Sequence, residues 1–498
     1  MQLTIWLEIH LKLATQAKVY CQCRNSQDFD NDTPNTYVCP VCTAQPGALP
    51  VVNHEAVIKA LELGKVLRCT PNPHPTRDRK SYFYPDSPTG YQITQINNPI
   101  NGEGSFSFWN SNYTQLHTIN ITQAHLENDT AKTIHMDGKA YLDFNRCGTP
   151  LVEIVTKPDF HTADEVTDFL KELQRVVKWN NIAYADLEKG QMRVDVNLSV
   201  SDSDQLWTRV EIKNMNSFAA IRRAIDYEYK RHIVLIQAWW KIEQATVGWD
   251  DAKTQTYMMR SKEDSMDYRY FPEPDLPALD ITKDIERLNN AYENFGDTVL
   301  NIPSEYITKM RDWWLNKEQI NALIWDYKIL WWFKICILWE VKPLLMAKYM
   351  TWIFLPYFQG LITKHEHNRN PDTNEQTHND LAKAIIKIQE LVQMVQWLML
   401  PKISEHHAKI ILEKMIETWK SPSDLIRELW LDQQSDVDLL FIIAQVVEAN
   451  PKVLEDYRWG KPSAAGFFIG QVMKATAGKC DPKEVKPAVE QYLFSIIS

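Results

Sequence analysis

A carboxylate and an imidazole share one face of the first predicted strand. Residues 3–13, LTIWLEIHLKL, place leucine or isoleucine at every second position, which is the period of a half-buried β-strand. Glu8 and His10 therefore point the same way. Side chains so placed can hold a divalent cation or orient a charged substrate, and an ordinary solvent-facing surface is the alternative.

Three further acids stand out in residues 119–156. Glu127 and Asp129 lie in ITQAHLENDT, residues 121–130, and Glu153 is the only charged residue of the apolar strand pattern LVEIV, residues 151–155. A carboxylate within an apolar strand is costly unless it has a partner. The sequence leaves two explanations open, a buried salt bridge and a metal or reacting group.

Four of the eight cysteines form two close pairs. Cys21 and Cys23 are followed, after fifteen intervening residues, by Cys39 and Cys42. Two thiol pairs that bridge a short loop suit a tetrahedral Zn²⁺ site, whereas disulfides suit an oxidising compartment. We predict a structural zinc clip, meaning the segment 21–42 with these four cysteines.

Basic and aromatic residues stand side by side in residues 77–86, RDRKSYFYPD. Arg79 and Lys80 can bind phosphate while Tyr82 stacks on a base or ribose. A solvated face with a packed edge is the other interpretation of such a run.

The overall composition indicates a globular protein. The formal net charge is −10, so contacts with nucleic acid must come from local patches. The most apolar segment, residues 324–358, is interrupted by charged residues and has no uncharged run long enough to span a membrane. The chain opens on a strand pattern without a basic-then-apolar leader, so we expect a cytoplasmic protein.

The remaining patterns predict an α+β fold. Residues 162–165 form a capping box that starts a helix, and Ser217 caps another. Residues 192–200 and 209–213 read as strands. Strands with helices between them and carboxylate-rich polar faces predict an antiparallel sheet that carries the site on one face. After the proline-rich segment 267–277 the patterns become helical.

Several longer motifs resemble those of one known family, the B subunit of the aspartyl/glutamyl-tRNA amidotransferase. The resemblance runs in order along nearly the whole chain and is most specific in the first 280 residues. The motifs are IWLEIH, the two cysteine pairs, DRKSYFYPD, HLEND, DFNRCGTPLVEIV, KGQMRVDVN, RVEIKNMNSF, DYRYFPEPDLP and GFFIGQVMKAT.

The resemblance implies an ATP-dependent ligase that works on tRNA. Such a protein phosphorylates the side-chain carboxylate of misacylated Glu-tRNA(Gln) or Asp-tRNA(Asn), and ammonia then displaces the phosphate. It uses ATP and Mg²⁺, and its core is similar to that of glutamine synthetase. The ammonia comes from a glutaminase, the A subunit, and a small C subunit completes the complex. Since no serine-lysine amidase signature is found here, glutamine hydrolysis is expected to belong to the partner.

The resemblance and the residue chemistry together give a set of candidate site residues. We expect His10, Glu127 and Glu153 to hold Mg²⁺, with Glu8 orienting or sharing it. Asp195 and Glu188 are candidates for a second ion or the nucleotide. The expected contacts to phosphate or the tRNA end are Arg79, Lys80 and Tyr82, and those of the tail to tRNA are Lys461, Lys474 and Lys479.

The same resemblance implies three domains. Residues 1–283 are expected to form a catalytic cradle with an antiparallel sheet and the zinc clip. Residues 284–380 and 381–498 are expected to form two all-α domains, a linker and a tRNA-binding tail.

Glycine is scarce and tryptophan abundant in this chain. It has 15 glycines and 18 tryptophans, whereas average usage gives roughly 35 glycines. We hypothesise that UGA codons, read as glycine in the source organism, were written as tryptophan. The positions where the resembling family usually has glycine are Trp6, Trp207, Trp239, Trp240, Trp314, Trp339, Trp352, Trp397, Trp419, Trp430 and Trp459.

Two other functions remain to be distinguished from the ligase. A non-catalytic scaffold descended from it binds tRNA but shows no ATP turnover that depends on Mg²⁺ and charged tRNA. A glutamine-synthetase-like enzyme for a small amine or acid turns over without tRNA, and leaves the basic-aromatic run and the tail unexplained.

Overall fold

The computed structural model of the protein divides into two compact units, Met1–Lys309 and Met310–Ser498. It describes residues 1–351 with gaps at 27–30, 204, 262–266, 296–299, 301, 326, 328, 331–332 and 335–342. Further along it describes residues 410–411, 414, 418, 420, 422–428, 439–459, 461, 463–476 and 482–496.

Strands occur in the first unit. They are β1 (Gln2–Lys12), β2 (Asp78–Ser81), β3 (Tyr91–Thr94), β4 (Gly104–Trp109), β5 (Leu116–Asn128), β6 (Lys132–Met136), β7 (Lys139–Asp143), β8 (Pro150–Thr156), β9 (Met192–Ser201), β10 (Val210–Lys213), β11 (Ala245–Asp250), β12 (Gln255–Ser261) and β13 (Phe271–Pro272). Eight of them form one sheet in the order β12-β11-β10-β9-β1-β8-β5-β4. Two smaller sheets have the orders β13-β2-β3 and β6-β7.

Helices occur in both units. They are α1 (His54–Val66), α2 (Ala163–Trp179), α3 (Phe218–Gln237), α4 (Thr282–Phe295), α5 (Pro303–Asp312), α6 (Lys317–Leu323), α7 (Pro343–Tyr349), α8 (Pro422–Glu428), α9 (Leu439–Glu448), α10 (Pro451–Arg458), α11 (Ser463–Ala475) and α12 (Pro482–Ser495). Among the described residues no helix has the length and apolar character needed to cross a membrane.

Strand β1 organises the first unit because it lies between β8 and β9 and pairs with both. Its aliphatic side chains are at most 7% exposed and belong to a core that α1, α2 and α3 also help to form. The period of two therefore directs Glu8 and His10 to the other face of the sheet, as the sequence predicted.

The prediction of an antiparallel sheet is wrong at one position. Strands β10 and β11 run parallel, with Val210 opposite Ala245, whereas the other neighbouring strands of the large sheet are antiparallel. The reason is the intervening helix α3, which carries the chain back along the sheet as a parallel connection requires. The first unit therefore has a mixed α/β fold.

The predicted helix starts are confirmed. The Thr162 hydroxyl accepts a hydrogen bond from the Glu165 backbone N–H at 3.1 Å, and the Glu165 carboxylate accepts one from the Thr162 backbone N–H at 3.1 Å. The Ser217 hydroxyl likewise accepts from the Ala220 N–H at 3.0 Å. These short-range signals fix where α2 and α3 begin.

The described residues of the second unit contain helices and no strand. Helices α9, α11 and α12 enclose an apolar core that includes Val447, Phe468 and Val489. This agrees with the expectation of helical architecture toward the C-terminus, while the division at residues 283 and 380 stays a prediction.

One buried carboxylate ties α3 to β12. Glu228 accepts hydrogen bonds from the Arg231 guanidinium at 2.7 Å and the Thr256 hydroxyl at 2.5 Å, and His232 Nε2 lies 3.3 Å away. Burial opposes the charge of Glu228, but His232, Arg231 and Thr256 outweigh it and lower the pKa from 4.5 to about 2. Ionised Glu228 therefore stabilises the fold.

We expect Glu228→Gln to lower the free energy of unfolding at pH 7 by about 3 kcal/mol. A carboxylate whose pKa is depressed by folding contributes its full stability above pH 4.5 and loses it as pH falls toward about 2. Urea unfolding at pH 7, 5 and 4 measures this difference, which should begin to shrink at pH 4. A difference that does not change with pH would show that the charge of Glu228 is not what stabilises the helix.

Candidate active site

The large sheet brings three predicted residues together. His10 on β1 pairs with Glu153 on β8, and Glu127 lies on β5, the next strand along. His10 Nε2 is 3.3 Å from Glu127 Oε1 and 3.6 Å from Glu153 Oε2. One ligand atom from each residue lies within 4.8 Å of the others. We call these three residues the carboxylate cluster.

The carboxylate cluster concentrates negative charge around the imidazole. Burial lowers the pKa of His10, but the two adjacent carboxylates outweigh it and raise that pKa to about 10. Burial opposes ionisation of Glu153, whereas hydrogen bonds from His10 and His125 hold its pKa well below the usual value. A positive charge is therefore strongly favoured between the carboxylates.

The carboxylate cluster fits a divalent cation. Glu127 is 1% exposed, and neither of its carboxylate oxygens accepts a hydrogen bond from a described residue. A buried carboxylate needs positive charge beside it, and either a protonated His10, 3.3 Å from Glu127 Oε1, or a bound cation supplies that charge. Two carboxylates and one imidazole form a donor set that can bind a divalent metal ion, which would bring the positive charge.

A second acidic cluster lies beside the first. It consists of Glu8, Asp195 and Glu211, whose oxygens come within 4.8 Å of one another. Burial and the neighbouring carboxylates raise the pKa of Glu8. The ammonium of Lys213 contacts Asp195 and is 2.9 Å from Glu211 Oε1. A lysine thus already supplies positive charge here, and a cation that used all three acids would have to displace it.

Three residues beside these carboxylates, Glu211, His125 and Lys213, were not predicted from the sequence. Glu211 stands between apolar Val210 and Ile212 in the strand VEIK, a weaker form of the signal that singled out Glu153 because Lys213 is charged as well. His125 alternates with Glu127 along β5 and places Nε2 3.2 Å from Glu153 Oε2. The Gln123 Nε2 amide is a donor and lies 3.2 Å from His125 Nδ1, which therefore accepts. His125 Nε2 is then the ring nitrogen that donates a hydrogen bond to Glu153.

A cavity of about 590 Å³ is lined by residues of both acidic clusters. His10, Glu127, Asp195, Lys80 and Lys213 line its wall. Burial opposes the charge of Lys80, but Glu127, Glu153 and two tyrosines raise its pKa. The ammonium of Lys80 stays protonated and lies 4.6 Å from the centre of the Tyr268 ring. The wall therefore presents cations as well as carboxylates to a ligand.

Aromatic rings continue from the cavity to the protein surface. Tyr82 lines the cavity and stacks on Tyr84 at 4.6 Å. Phe83 is 66% exposed and its ring lies 5.3 Å from the Arg269 guanidinium. We name as the aromatic surface the six rings of Tyr82, Phe83, Tyr84, Tyr268, Tyr270 and Phe271.

Two of the predicted site residues, Arg79 and Glu188, do not line the cavity. The Arg79 guanidinium donates to both oxygens of Glu273, at 2.7 and 3.0 Å, and to Asp275 at 2.8 Å. It is therefore already engaged and does not line the cavity. Glu188 is exposed on the turn before β9, where Leu187 and Gly190 line the cavity and Glu188 does not. Their predicted contacts stay predictions.

The four cysteines of the zinc clip converge. One sulfur atom from each lies within 4.8 Å of the others, and all four are free thiols. A hydrogen bond from Cys21 and the Lys18 ammonium, 3.6 Å away, lower the pKa of the Cys42 thiol to about 5, although burial opposes this. Four thiols with a stabilised thiolate are the donor set of a structural zinc site.

Two of the three lysines predicted to contact tRNA, Lys461 and Lys474, are described and exposed. Lys461 forms an ion pair with Asp456 at 2.7 Å, and Lys474 is exposed in the last turn of α11. Lys479 lies outside the described residues. Their predicted role in binding tRNA stays a prediction.

Comparison with known protein families identifies the class of protein to which this chain belongs. Residues 3–287 match a family model described as the GatB/GatE catalytic domain, and residues 373–493 match one described as the GatB domain. The first match contains both acidic clusters, the cavity and the zinc clip, so these features lie in a domain described as catalytic.

Relatives specify the family. The B subunit of the aspartyl/glutamyl-tRNA(Asn/Gln) amidotransferase of Symbiobacterium thermophilum is 36% identical over 500 residues, which cover 98% of this chain and 97% of the relative. The B subunits of Clostridium kluyveri and Elusimicrobium minutum are 36% and 38% identical, over 98% and 96% of both chains. The chain belongs to the family of aspartyl/glutamyl-tRNA(Asn/Gln) amidotransferase B subunits.

Proposed function

We propose that this chain converts misacylated Glu-tRNA(Gln), Asp-tRNA(Asn) or both into Gln-tRNA(Gln) and Asn-tRNA(Asn). It acts as an ATP-dependent carbon-nitrogen ligase with glutamine as the amido donor. The observation that carries the proposal is that His10, Glu127 and Lys80 line one cavity, while Glu153 completes the carboxylate cluster with the first two. The family membership of the chain supports the substrate class.

The chemistry sets what the site must do. The aminoacyl carboxylate resists ammonia because its oxyanion is a poor leaving group. Transfer of the γ-phosphoryl group of ATP to that carboxylate releases ADP, and ammonia then forms the amide while phosphate departs. Catalysis of phosphoryl transfer consists mostly of positioning and charge neutralisation, which suits a cavity lined with fixed charges.

The residues of the site divide this work. His10, Glu127 and Glu153 would hold the Mg²⁺ whose charge neutralises the phosphates of ATP. Lys80 presents its ammonium to a phosphate from the cavity wall. Glu8 and Asp195, beside Lys213, orient the nucleotide or share an ion.

We propose that the aromatic surface binds the unpaired 3′ end of the charged tRNA. Single-stranded nucleotides stack on aromatic rings while cations contact their phosphates. Lys80 and Arg269 lie over rings of this surface at 4.6 and 5.3 Å. The surface leads to the cavity through Tyr82 and Tyr268, which belong to both.

Phe83→Ala should weaken binding of charged tRNA by about tenfold, because one base stack is worth about 1–3 kcal/mol. We expect KM for the charged tRNA to rise and kcat to change by less than about twofold. Tyr141→Ala, which removes another exposed ring on β7, is the matched control and should have no effect. Equal tRNA affinities in all three proteins would remove Phe83 from the binding surface.

His125→Ala should raise the Mg²⁺ concentration for half-maximal activity by about 10–100-fold, because outer residues orient metal-binding carboxylates. Titration of the isolated chain with Mn²⁺ gives a readout that does not depend on activity. His117→Ala is the control, since His117 lies on the same strand but pairs with Glu165 at 3.5 Å. Unchanged metal affinity in the His125 variant would contradict the positioning role.

The partners and the domain roles belong to the same proposal. A glutaminase, the A subunit of the complex, supplies ammonia, and a small C subunit completes the assembly in the cytoplasm. Residues 1–283 form the catalytic cradle, related in its core to glutamine synthetase, and hold structural Zn²⁺ in the clip. Residues 284–380 link it to a tail, residues 381–498, that contacts the tRNA body through Lys461, Lys474 and Lys479.

ATP turnover separates the ligase from a tRNA-binding scaffold. We expect Mg²⁺-dependent ATP hydrolysis that rises when misacylated tRNA is added and stays low with uncharged tRNA. A scaffold binds tRNA without this response. A small-molecule ligase turns over with free glutamate or aspartate instead.

A further inference from the structure

Two tryptophans adopt a backbone conformation that favours glycine. Trp239 and Trp314 both have φ of +62°, which lies in the left-handed region where a bulky side chain is an outlier. Each follows the end of a helix, α3 and α5 respectively. The two sites lie 75 residues apart in sequence, so a single local distortion does not explain both.

Both residues close the same helix-ending motif. After α3, the Trp239 N–H donates to the Ile236 carbonyl at 3.0 Å and the Trp240 N–H donates to the Leu235 carbonyl at 2.9 Å. After α5, the equivalent bonds run from Trp314 to Arg311 at 2.8 Å and from Leu315 to Met310 at 3.1 Å. This is the Schellman pattern, whose left-handed residue is usually glycine.

Within the described part of the chain, the two indole side chains lack the packing contacts that could compensate for a left-handed backbone. Trp239 is 95% exposed and Trp314 is 87% exposed, and neither ring contacts an aromatic or cationic group among the described residues. Arg68 takes the corresponding place after α1 with φ of +50°, but its guanidinium lies 3.6 Å from Glu305. Conformation and full exposure together distinguish the two tryptophans.

A tryptophan that belongs to the fold looks different in this protein. Trp249 is 5% exposed, its Nε1–H donates to Asp251 at 2.8 Å, and its ring packs edge-on against Tyr227. Trp249 is thus integrated into the fold, whereas Trp239 and Trp314 stand at glycine-like positions in a chain with 18 tryptophans and 15 glycines.

We propose that the native protein carries glycine at positions 239 and 314, because the source organism reads as glycine the UGA codon that is written here as tryptophan. The same codon would account for exposed Trp207, Trp240 and Trp459. It would also account for Trp6. The further candidates Trp339, Trp352, Trp397, Trp419 and Trp430 lie outside the described residues.

Glycine at position 6 would also change the candidate active site. Trp6 lies on β1 opposite Asn197, whose amide donates to Glu8 Oε1 at 3.2 Å. Its side chain alternates with the aliphatic residues of β1 and so shares the face of the sheet that carries Glu8 and His10. Glycine at position 6 would remove the indole from the sheet face that carries Glu8 and His10.

Peptide mass spectrometry of the protein isolated from its native source tests the proposal directly. We expect glycine masses for the peptides that contain positions 6, 239 and 314, and a tryptophan mass for the one that contains Trp249. Tryptophan at 239 and 314 in the native protein overturns the proposal.

Stability measurements on the chain as written test the conformational argument separately. Trp239→Gly and Trp314→Gly should each raise the thermal midpoint by about 2 °C or more, although glycine usually destabilises. Trp459→Gly is the matched control, because Trp459 is 85% exposed but has φ of −82°. A midpoint that does not rise, or that rises equally in the control, overturns the argument from the left-handed backbone.

Discussion

Glu153→Ala should reduce amide formation by about 10³-fold or more while tRNA binding changes by less than a few fold. The carboxylate lies 3.6 Å from His10 and 3.2 Å from His125, at the centre of the proposed cation site. Groups that neutralise charge in the transition state contribute several kcal/mol to catalysis. The aromatic surface proposed to bind the tRNA end is unchanged by the substitution.

Two further variants show whether the charge or the shape of Glu153 matters. Glu153→Gln keeps the size of the side chain and should lose nearly as much activity, because the amide is a much poorer cation ligand. Glu103→Ala removes an exposed carboxylate that pairs with Lys157 at the surface, and should be fully active. Mn²⁺ titration of the isolated chain should show weaker binding in both Glu153 variants. Normal turnover in Glu153→Ala would remove this residue from the site.

Cys39→Ser should lower both the zinc content and the stability of the protein. The four sulfur atoms already lie within 4.8 Å of one another, and tetrahedral zinc sites lose most of their affinity when a thiolate is replaced. Because binding energy at a structural zinc site is folding energy, segment 21–42 should become sensitive to proteolysis. A chelator should have the same effect on the unmodified protein.

Cys147→Ser is the matched control for the clip. The Cys147 thiol is buried beside the clip and donates to the Cys42 carbonyl at 3.2 Å, but it is not one of the four converging sulfurs. This variant should retain zinc and protease resistance. A Cys39→Ser protein that is zinc-free yet as stable as the unmodified chain would show that the clip needs no metal.

Short-range features were predictable from the sequence for a clear reason. The alternation of β1 and the capping residues Thr162 and Ser217 act within a few residues, so their consequences can be read locally. Glu8 and His10 were placed on one face by the same alternation. The cysteine spacing indicated that the four sulfur atoms converge, because both pairs lie close together along the chain.

Features that depend on strand order were harder to predict. The sequence indicated Glu153 as an unusual acid, but only the order β1-β8-β5 brings it to His10 and Glu127. Arg79 was expected to face a ligand because its partner Glu273 lies 194 residues away and gave no local signal. The parallel pairing of β10 and β11 likewise depends on where α3 crosses the sheet.

The residues that were not predicted differ in how visible they are in the sequence. Glu211 stands between two apolar strand residues, as Glu153 does, and could have been found by looking for such acids in every strand. His125 could have been found from its alternation with Glu127. Lys213 could not, because its role depends on contact with Asp195 from a neighbouring strand.

Amidation of Glu-tRNA(Gln) by the chain assembled with its glutaminase partner tests the central claim most directly. The assay follows conversion to Gln-tRNA(Gln) with glutamine, ATP and Mg²⁺, using the chain as written and a chain with glycine at the eleven positions. We predict product from the glycine-containing chain, and none when ATP or Mg²⁺ is omitted. Binding of tRNA without any product from either chain would contradict the account and favour a scaffold.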